Sequence, residues 1–303
     1  MDKIKVGLPR SIFYYYYGPL WQKILKQMNC EIVVSPITNK QIMELGTKYA
    51  NDEMCVSMKN YIGHVAYLQD KCDYILVPRI DNYGIDNQTC TNFLAAYDIV
   101  HNLFPIKILN YNIDVANNQT EEQAMIELGL KLGHSKQFCK RIYNEVKEEI
   151  EKEEEKQIQQ NMAKLKSKKI KILVVGHPYN LYDAYIGTPI IKYLEKQKVE
   201  IIYSDRFNSH MTNKISKSLS SELYFKYSKE NIGAIALTQN IVDGIIFITA
   251  FPCGPDSLAN ELVMRKLKIP YLNLIVDDMD ASAGVETRLE SFLDILERKH
   301  IHE

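Results

Sequence analysis

Three cysteines stand where a thiol can do chemistry. Cys253 lies in Phe251-Pro-Cys-Gly-Pro-Asp-Ser257, directly after the apolar run Gly244 to Ala250. That run reads as a fully buried parallel strand, Gly254 and Pro255 force a turn, and Asp256 or Ser257 is placed to cap the helix that follows. Open α/β sheets build their sites just beyond the carboxyl end of a strand. Backbone N–H groups and the positive end of a helix dipole stabilise a thiolate there, the form that binds metal or attacks an electrophile. Cys55 closes Asn51-Asp-Glu-Met-Cys55 near the start of a helix running through Lys59 and His64 toward Gln69. Cys90 is expected in a long polar loop, Asp81 to Asn92, after the strand ending Val77-Pro-Arg79. Cys30 and Cys72 just precede strands and Cys139 falls inside a helix, settings that suit a small core residue. Zinc held by Cys55, Cys90, Cys253 and a histidine such as His177 would be chemically reasonable. Spacing alone favours unrelated buried thiols over shared metal binding.

Other residues share these strand ends. Arg10, in Gly7-Leu-Pro-Arg10, could pair with an anionic ligand group or serve as a rim ion pair, with the tyrosines Tyr14 to Tyr17 packing between layers. His177, in Gly176-His-Pro-Tyr-Asn-Leu-Tyr-Asp183, could move a proton with Asp183 orienting it, or only hydrogen-bond its turn. Asp277 and Asp278 follow the last strand and Glu286 opens a helix; carboxylates there suit magnesium, a basic partner or capping. Neither G-x-G-x-x-G nor G-x-x-x-x-G-K-[ST] occurs, so the chain is not expected to hydrolyse ATP by itself.

The 303 residues, 46% hydrophobic and 25% charged, provide for two cores. Lys+Arg 37 against Asp+Glu 38 gives a net charge of -1, without the basic excess that nucleic acid binding requires. The start Met1-Asp-Lys-Ile-Lys-Val carries no basic-apolar leader and no run approaches bilayer length, so a cytoplasmic protein without membrane partners is expected. Six cysteines are too sparse for a disulfide scaffold, and no C-x-x-C pair is present.

Apolar runs alternate with helical patterns: Ile4 to Leu8, a helix from Gly18 to Met28, Glu31 to Ser35, a helix from Asn39 to Ala50, Tyr74 to Pro78, and Ile106 to Asn110. Ser135 to Lys169 lacks Pro and Gly and turns to Glu, Lys and Gln, reading as a long solvated helix. A second alternation runs from Ile170 to Gly176 through Val199 to Ser204, Gly244 to Ala250 and Tyr271 to Val276, with a final helix from Val285 to Lys299. The expected fold is α/β: two Rossmann-like lobes with parallel sheets, residues 1–145 and 170–303, joined by a charged helix over 146–169, with the site in the interlobe cleft. No internal repeat is evident in the residues themselves.

In order along the chain, Val6-Gly-Leu-Pro-Arg10 with Tyr17-Gly-Pro19, Asp52-Glu-Met-Cys55 with Gly63-His64, Val77-Pro-Arg79 with Cys90, Gly176 to Asp183, Phe251 to Ser257 and Asp277 to Leu289 resemble one family. It is that of 2-hydroxyacyl-CoA dehydratase components and CoA-substrate-specific enzyme activase-related proteins, and the resemblance covers nearly the whole chain. It implies a 4Fe-4S cluster on Cys55, Cys90 and Cys253, with one iron lacking a cysteine. It further implies radical dehydration, through a ketyl radical, or a related low-potential reduction of a small or CoA-linked substrate. Electrons would come from a separate ATP-dependent activator or another low-potential donor, and the chain would pair as a homodimer or with a related subunit. Arg10, Glu53, His64 and His177 would line the cleft as anion anchor or proton donors. The segment holding Asn82, Tyr83 and Asn87 departs from the family pattern, so the substrate can differ while the cluster is retained. Two other outcomes of the same resemblance are a cluster-bearing electron carrier without catalysis and an 8Fe-9S double-cubane reductase; the core-like settings of Cys30, Cys72 and Cys139 speak against the latter.

Overall fold

Each run rich in Val, Ile and Leu becomes a strand, and each return crossing is helical, so every strand pair is parallel. The computed structural model describes residues 3–221, 223–277 and 282–302. Asp278, read above as a strand-edge carboxylate, lies outside them, as do Met279, Asp280 and Ala281. The chain divides into two units, Met1–Glu153 and Glu154–Glu303.

In the first unit, β1 (Lys5–Leu8), α1 (Tyr14–Gln27), β2 (Glu31–Val34), α2 (Lys40–Tyr49), α3 (Val56–Leu68), β3 (Tyr74–Asn82), α4 (Thr91–Leu103), β4 (Ile108–Asp114) and α5 (Glu121–Lys131) build a sheet of order β2-β1-β3-β4. Helix α6 (Lys136–Lys164) follows, and the division between the units falls inside it. In the second unit, β5 (Ile170–Val175), α7 (Pro178–Leu181), α8 (Thr188–Glu195), β6 (Val199–Tyr203), α9 (Ser209–Ser216), α10 (Lys226–Thr238), β7 (Gly244–Ala250), α11 (Gly254–Met264), β8 (Tyr271–Val276) and α12 (Ser282–His302) build a sheet of order β6-β5-β7-β8. All seven residues of β7 are buried, as the unbroken apolar run requires of a strand covered on both faces.

Helix α6 is more than a solvated connector. Cys139, Ile142 and Val146 bury its first half in the first unit. Near its other end, the Asn161 amide accepts from Tyr203 N at 2.9 Å and donates to Tyr203 O at 3.0 Å, completing the backbone of edge strand β6. Helices α4, α5 and α9 were not anticipated from sequence, and α1 begins at Tyr14 rather than Gly18, with Pro19 inside it.

The two units repeat one another in contacts that composition does not reveal. Asp73 accepts Lys5 N at 2.7 Å and returns its own N–H to Lys5 O; Asp243 does the same with Lys171, accepting at 2.6 Å. Asn39 caps α2 through Ile42 N, and Asn208 caps α9 through Met211 N. Gly63 and Gly233, each the eighth residue of its helix, let α3 and α10 meet the preceding helix backbone to backbone: an added Cβ would lie 2.1 Å from Ile42 O or Thr212 O. The sequence holds no repeat close enough to call a duplication; the likeness of the two units lies in these hydrogen bonds and close approaches.

Gly63→Ala and Gly233→Ala should each cost about 2 kcal/mol or more, because backbone cannot yield as a side-chain tip does. Gly284→Ala, in α12 with nothing within 4 Å, should be neutral or stabilising by up to about 1 kcal/mol. Urea unfolding of the three variants checks this; equal midpoints would contradict it.

Candidate functional site

In both sheets the strand order reverses at the first strand, between β1 and β3 and between β5 and β7. The crevice beyond the carboxyl ends of such a strand pair is where doubly wound sheets bind ligands. Three segments meet there in each unit: the turn after the first strand and the N-termini of two helices.

In the first unit the turn is Pro9 to Phe13. Ser35, just past β2, accepts Arg10 N on its hydroxyl at 2.8 Å, and the same oxygen lies 2.8 Å from His64 Nδ1. The Ser35 hydroxyl also reaches Leu8 O at 3.5 Å, and His64 Nε2 lies 3.1 Å from Thr38 Oγ1. Ser11 Oγ donates to Ser57 O at 3.4 Å, tying the turn to α3. Phe13 packs edge-on to Tyr61 of α3 at 5.4 Å and to Phe93 of α4 at 4.8 Å, the interlayer packing expected of the aromatic segment. Ile12 takes φ 33°, a strained value for a β-branched residue, held by this surrounding framework.

Cys55 is the N-cap of α3 and Cys90 the N-cap of α4, both with extended backbone and half-buried side chains. Asn92, two residues beyond Cys90, donates to Cys55 Sγ at 3.8 Å, so the two helix starts are neighbours. Cys90 is therefore not in an open loop. Asn82 gathers residues 82–89 by donating to Asp114 at 2.7 Å and accepting Gly84 N and Ala116 N. Thr89 then bonds Ile80 O and Asp81 O, returning the chain to the end of β3.

The second unit repeats the arrangement. Ser204, just past β6, accepts Gly176 N at 3.3 Å and donates to Asn231 Oδ1 of α10 at 2.7 Å. The pinned turn presents His177, whose Nε2 lies 2.8 Å from Asp256 Oδ1. Both side chains are more than nine-tenths buried. Asp256 is placed to accept from Nε2, while Nδ1 is buried without a hydrogen-bond partner. The ring stacks on Tyr179 at 4.9 Å and meets the edge of Tyr227 at 6.0 Å. Cys253 is the N-cap of α11 and Asp256 sits in its first turn. This corrects the expected pairing: Asp183 accepts Tyr185 N and Ile186 N, shaping its own turn, while Asp256 orients His177. Nothing in local sequence links residues 177 and 256; only the adjacency of β5 and β7 brings them together.

Of the other expected site residues, Glu53 is exposed in the turn before α3, with its N–H on Asn51 Oδ1. His64 is fully buried, and loss of solvent, then the Arg10 charge, lowers its pKa to about 3. It is a positioning residue for the Arg10 turn, not the proton donor expected. Asp205 and Arg206, just past β6, and Tyr182, at the end of α7, form a cluster with no signal in the local sequence. The Tyr182 hydroxyl bonds both Asp205 oxygens at 2.9 Å and accepts from Arg206 Nε at 2.9 Å; burial raises Asp205 to about 6. Among the described residues no group of three His, Cys, Asp or Glu side chains is assembled to hold a metal ion, and no helix is long and apolar enough to cross a membrane.

Two doubly wound parallel sheets, each bearing donor side chains at its switch point, define an α/β protein of the Rossmann-like class. Residues 5–207 match the family described as the CoA enzyme activase uncharacterised domain, and residues 120–296 match 2-hydroxyglutaryl-CoA dehydratase, D-component. Each match spans more than half of the chain, which belongs to this family of dehydratase components and CoA enzyme activase-related proteins. No curated protein matches it. Solved structures similar to it include the SBP FpvC in complex with Ni2+ from P. aeruginosa, at 11% identity over 98% of this chain and 96% of that one, TM-score 0.31. A periplasmic metal binding protein from Candidatus Liberibacter asiaticus is 12% identical over 98% and 99%, TM-score 0.30. At TM-scores this low neither likeness bears on function.

The pH dependence of stability follows from His64. Its folded pKa of about 3 lies below the ordinary 6.5, so between these values the unfolded chain binds the extra proton. The contribution is complete above pH 6.5 and is lost as pH falls toward 3, at up to about 1.4 kcal/mol per pH unit. Urea unfolding at pH 7 and pH 5 should show the advantage of the native chain over His64→Gln shrinking with acid; a constant gap would refute the assignment.

Proposed function

We propose that the chain is a 4Fe-4S protein that carries out radical dehydration, or a related low-potential reduction, on a small or CoA-linked substrate. Its electrons would come from a separate ATP-dependent activator or another low-potential donor. One observation carries the reading: Cys55, Cys90 and Cys253 each occupy the N-cap of a helix of at least eleven residues at a sheet's carboxyl edge. Helix dipoles and unused N–H groups there favour the thiolate, the ligand form iron-sulfur centres require. The other three cysteines lack this setting. Burial raises the pKa of Cys30, Cys72 and Cys139, with Cys72 pushed to about 11, which disfavours their thiolates.

The donor chemistry thus fits a thiolate-bound cluster, with Cys55, Cys90 and Cys253 as its ligands. When bound, the cluster would supply one low-potential electron and a Lewis-acidic iron. The chain's own residues account for the rest. Arg10 presents a guanidinium whose Nε is buried without a hydrogen-bond partner, on a turn fixed by Ser35 and His64, and would anchor an anionic group such as a carboxylate or phosphate. His177, held through Nε2 by Asp256, would contribute an imidazole at the carboxyl edge of the second sheet. Glu53, exposed beside the α3 N-terminus, is positioned to meet a ligand entering from solvent.

Replacing Cys55, Cys90 or Cys253 singly with Ala should lower iron and acid-labile sulfide in anaerobically purified protein at least severalfold, whereas Cys30→Ala should not. Unchanged content in all three site variants would sink the ligand assignment. Cluster retention with no spectral response to any acyl-CoA would shift the reading to an electron carrier.

A further inference from the structure

The matching contacts of the two units show what the second one lacks. In each unit two helix N-termini face the switch point, making four equivalent caps. Three carry thiols, on Cys55, Cys90 and Cys253; the fourth, at the start of α10, is Phe225. The equivalence of α3 and α10 is fixed by their shared glycine approach at Gly63 and Gly233, so Phe225 stands where the first unit has Cys55. Two residues beyond Phe225, Tyr227 touches the ring of His177. The second unit therefore has one thiol fewer and, beside the vacated cap, an imidazole that the first unit has no counterpart for.

His177 is prepared as a ligand. Its Nε2 is committed to Asp256, which fixes the tautomer and makes the ring more electron-rich, the support that metal-binding histidines ordinarily receive from a carboxylate. Tyr179 and Tyr227 restrict the ring plane. The remaining nitrogen is buried with no hydrogen-bond partner, an unfavourable state for a polar atom unless a ligand uses it. Asp256 lies one turn from Cys253 on α11, so the carboxylate that holds the ring through Nε2 belongs to the helix start that the thiol caps.

We infer that His177 Nδ1 is a nitrogen ligand to the metal centre anchored by Cys253, with Asp256 as its positioning residue. The inference rests on the metal-binding reading proposed above.

Two measurements on the full chain separate the inference from that reading. In the reconstituted, dithionite-reduced protein, electron spin echo envelope modulation should show a directly coupled nitrogen that disappears in His177→Ala. In the metal-free protein, Co2+ should give a thiolate-to-cobalt absorption band. Its affinity should fall about 10- to 100-fold in Asp256→Asn and at least as far in His177→Ala, with Cys30→Ala unchanged. Circular dichroism confirms that each variant is folded. A cluster without nitrogen coupling overturns the inference and leaves the proposed function standing. Absence of any cluster overturns the proposed function, while His177-dependent Co2+ binding would still support the ligand. Co2+ binding indifferent to both His177 and Asp256 overturns the ligand on its own.

Discussion

Everything at the two candidate sites depends on one hydroxyl in each sheet. A strand that ends at a switch point must release its backbone into a turn, and that turn's N–H groups lose their ladder partners. Ser35 supplies the partner for Arg10 N, and Ser204 for Gly176 N. Each serine is in turn bonded to a polar side chain on the helix behind, His64 or Asn231. The turn is therefore located relative to a helix rather than only to its own strand. Both serines are nearly completely buried, where a lost hydrogen bond leaves an unsatisfied group and costs more than it would at the surface.

The same geometry accounts for the thiols. A cysteine at an N-cap contributes no side-chain cap bond of its own in any of the three helices. Serine, threonine, asparagine or aspartate would stabilise those helix starts better, by about 1 kcal/mol each. Cysteine at three equivalent caps thus gives up local stability and gains a group whose thiolate the helix terminus favours. Asn39 and Asn208, which cap helices away from the switch points, show the ordinary solution in the same chain.

Much of this was legible in the sequence. The run Gly244 to Ala250 and the stretch Tyr271 to Val276 became strands with those limits, because unbroken apolar segments bounded by turns have few alternatives. Cys55 was placed near a helix start because the polar turn before it is local. Cys90 was misplaced in a loop because the signal that closes residues 82–89 comes from Asp114, 32 residues beyond Asn82. The partner of His177 was missed for the same reason: Asp256 lies 79 residues away, and Asp183 was the nearest carboxylate by sequence. His64 enters the expected site through the family resemblance; its full burial between Ser35 and Thr38 is a tertiary fact. The likeness of the two units was hidden in the sequence because it resides in a few polar contacts and two glycines.

The central claim is that three capping thiols hold an iron-sulfur cluster. Its most direct test is the electron paramagnetic resonance spectrum of protein purified and reconstituted without oxygen, before and after dithionite, with iron and sulfide counted on the same sample. About four irons and four sulfides per chain, with a signal that dithionite brings up, is the predicted result. Neither iron nor sulfide after reconstitution would contradict it and leave family membership as a statement about fold.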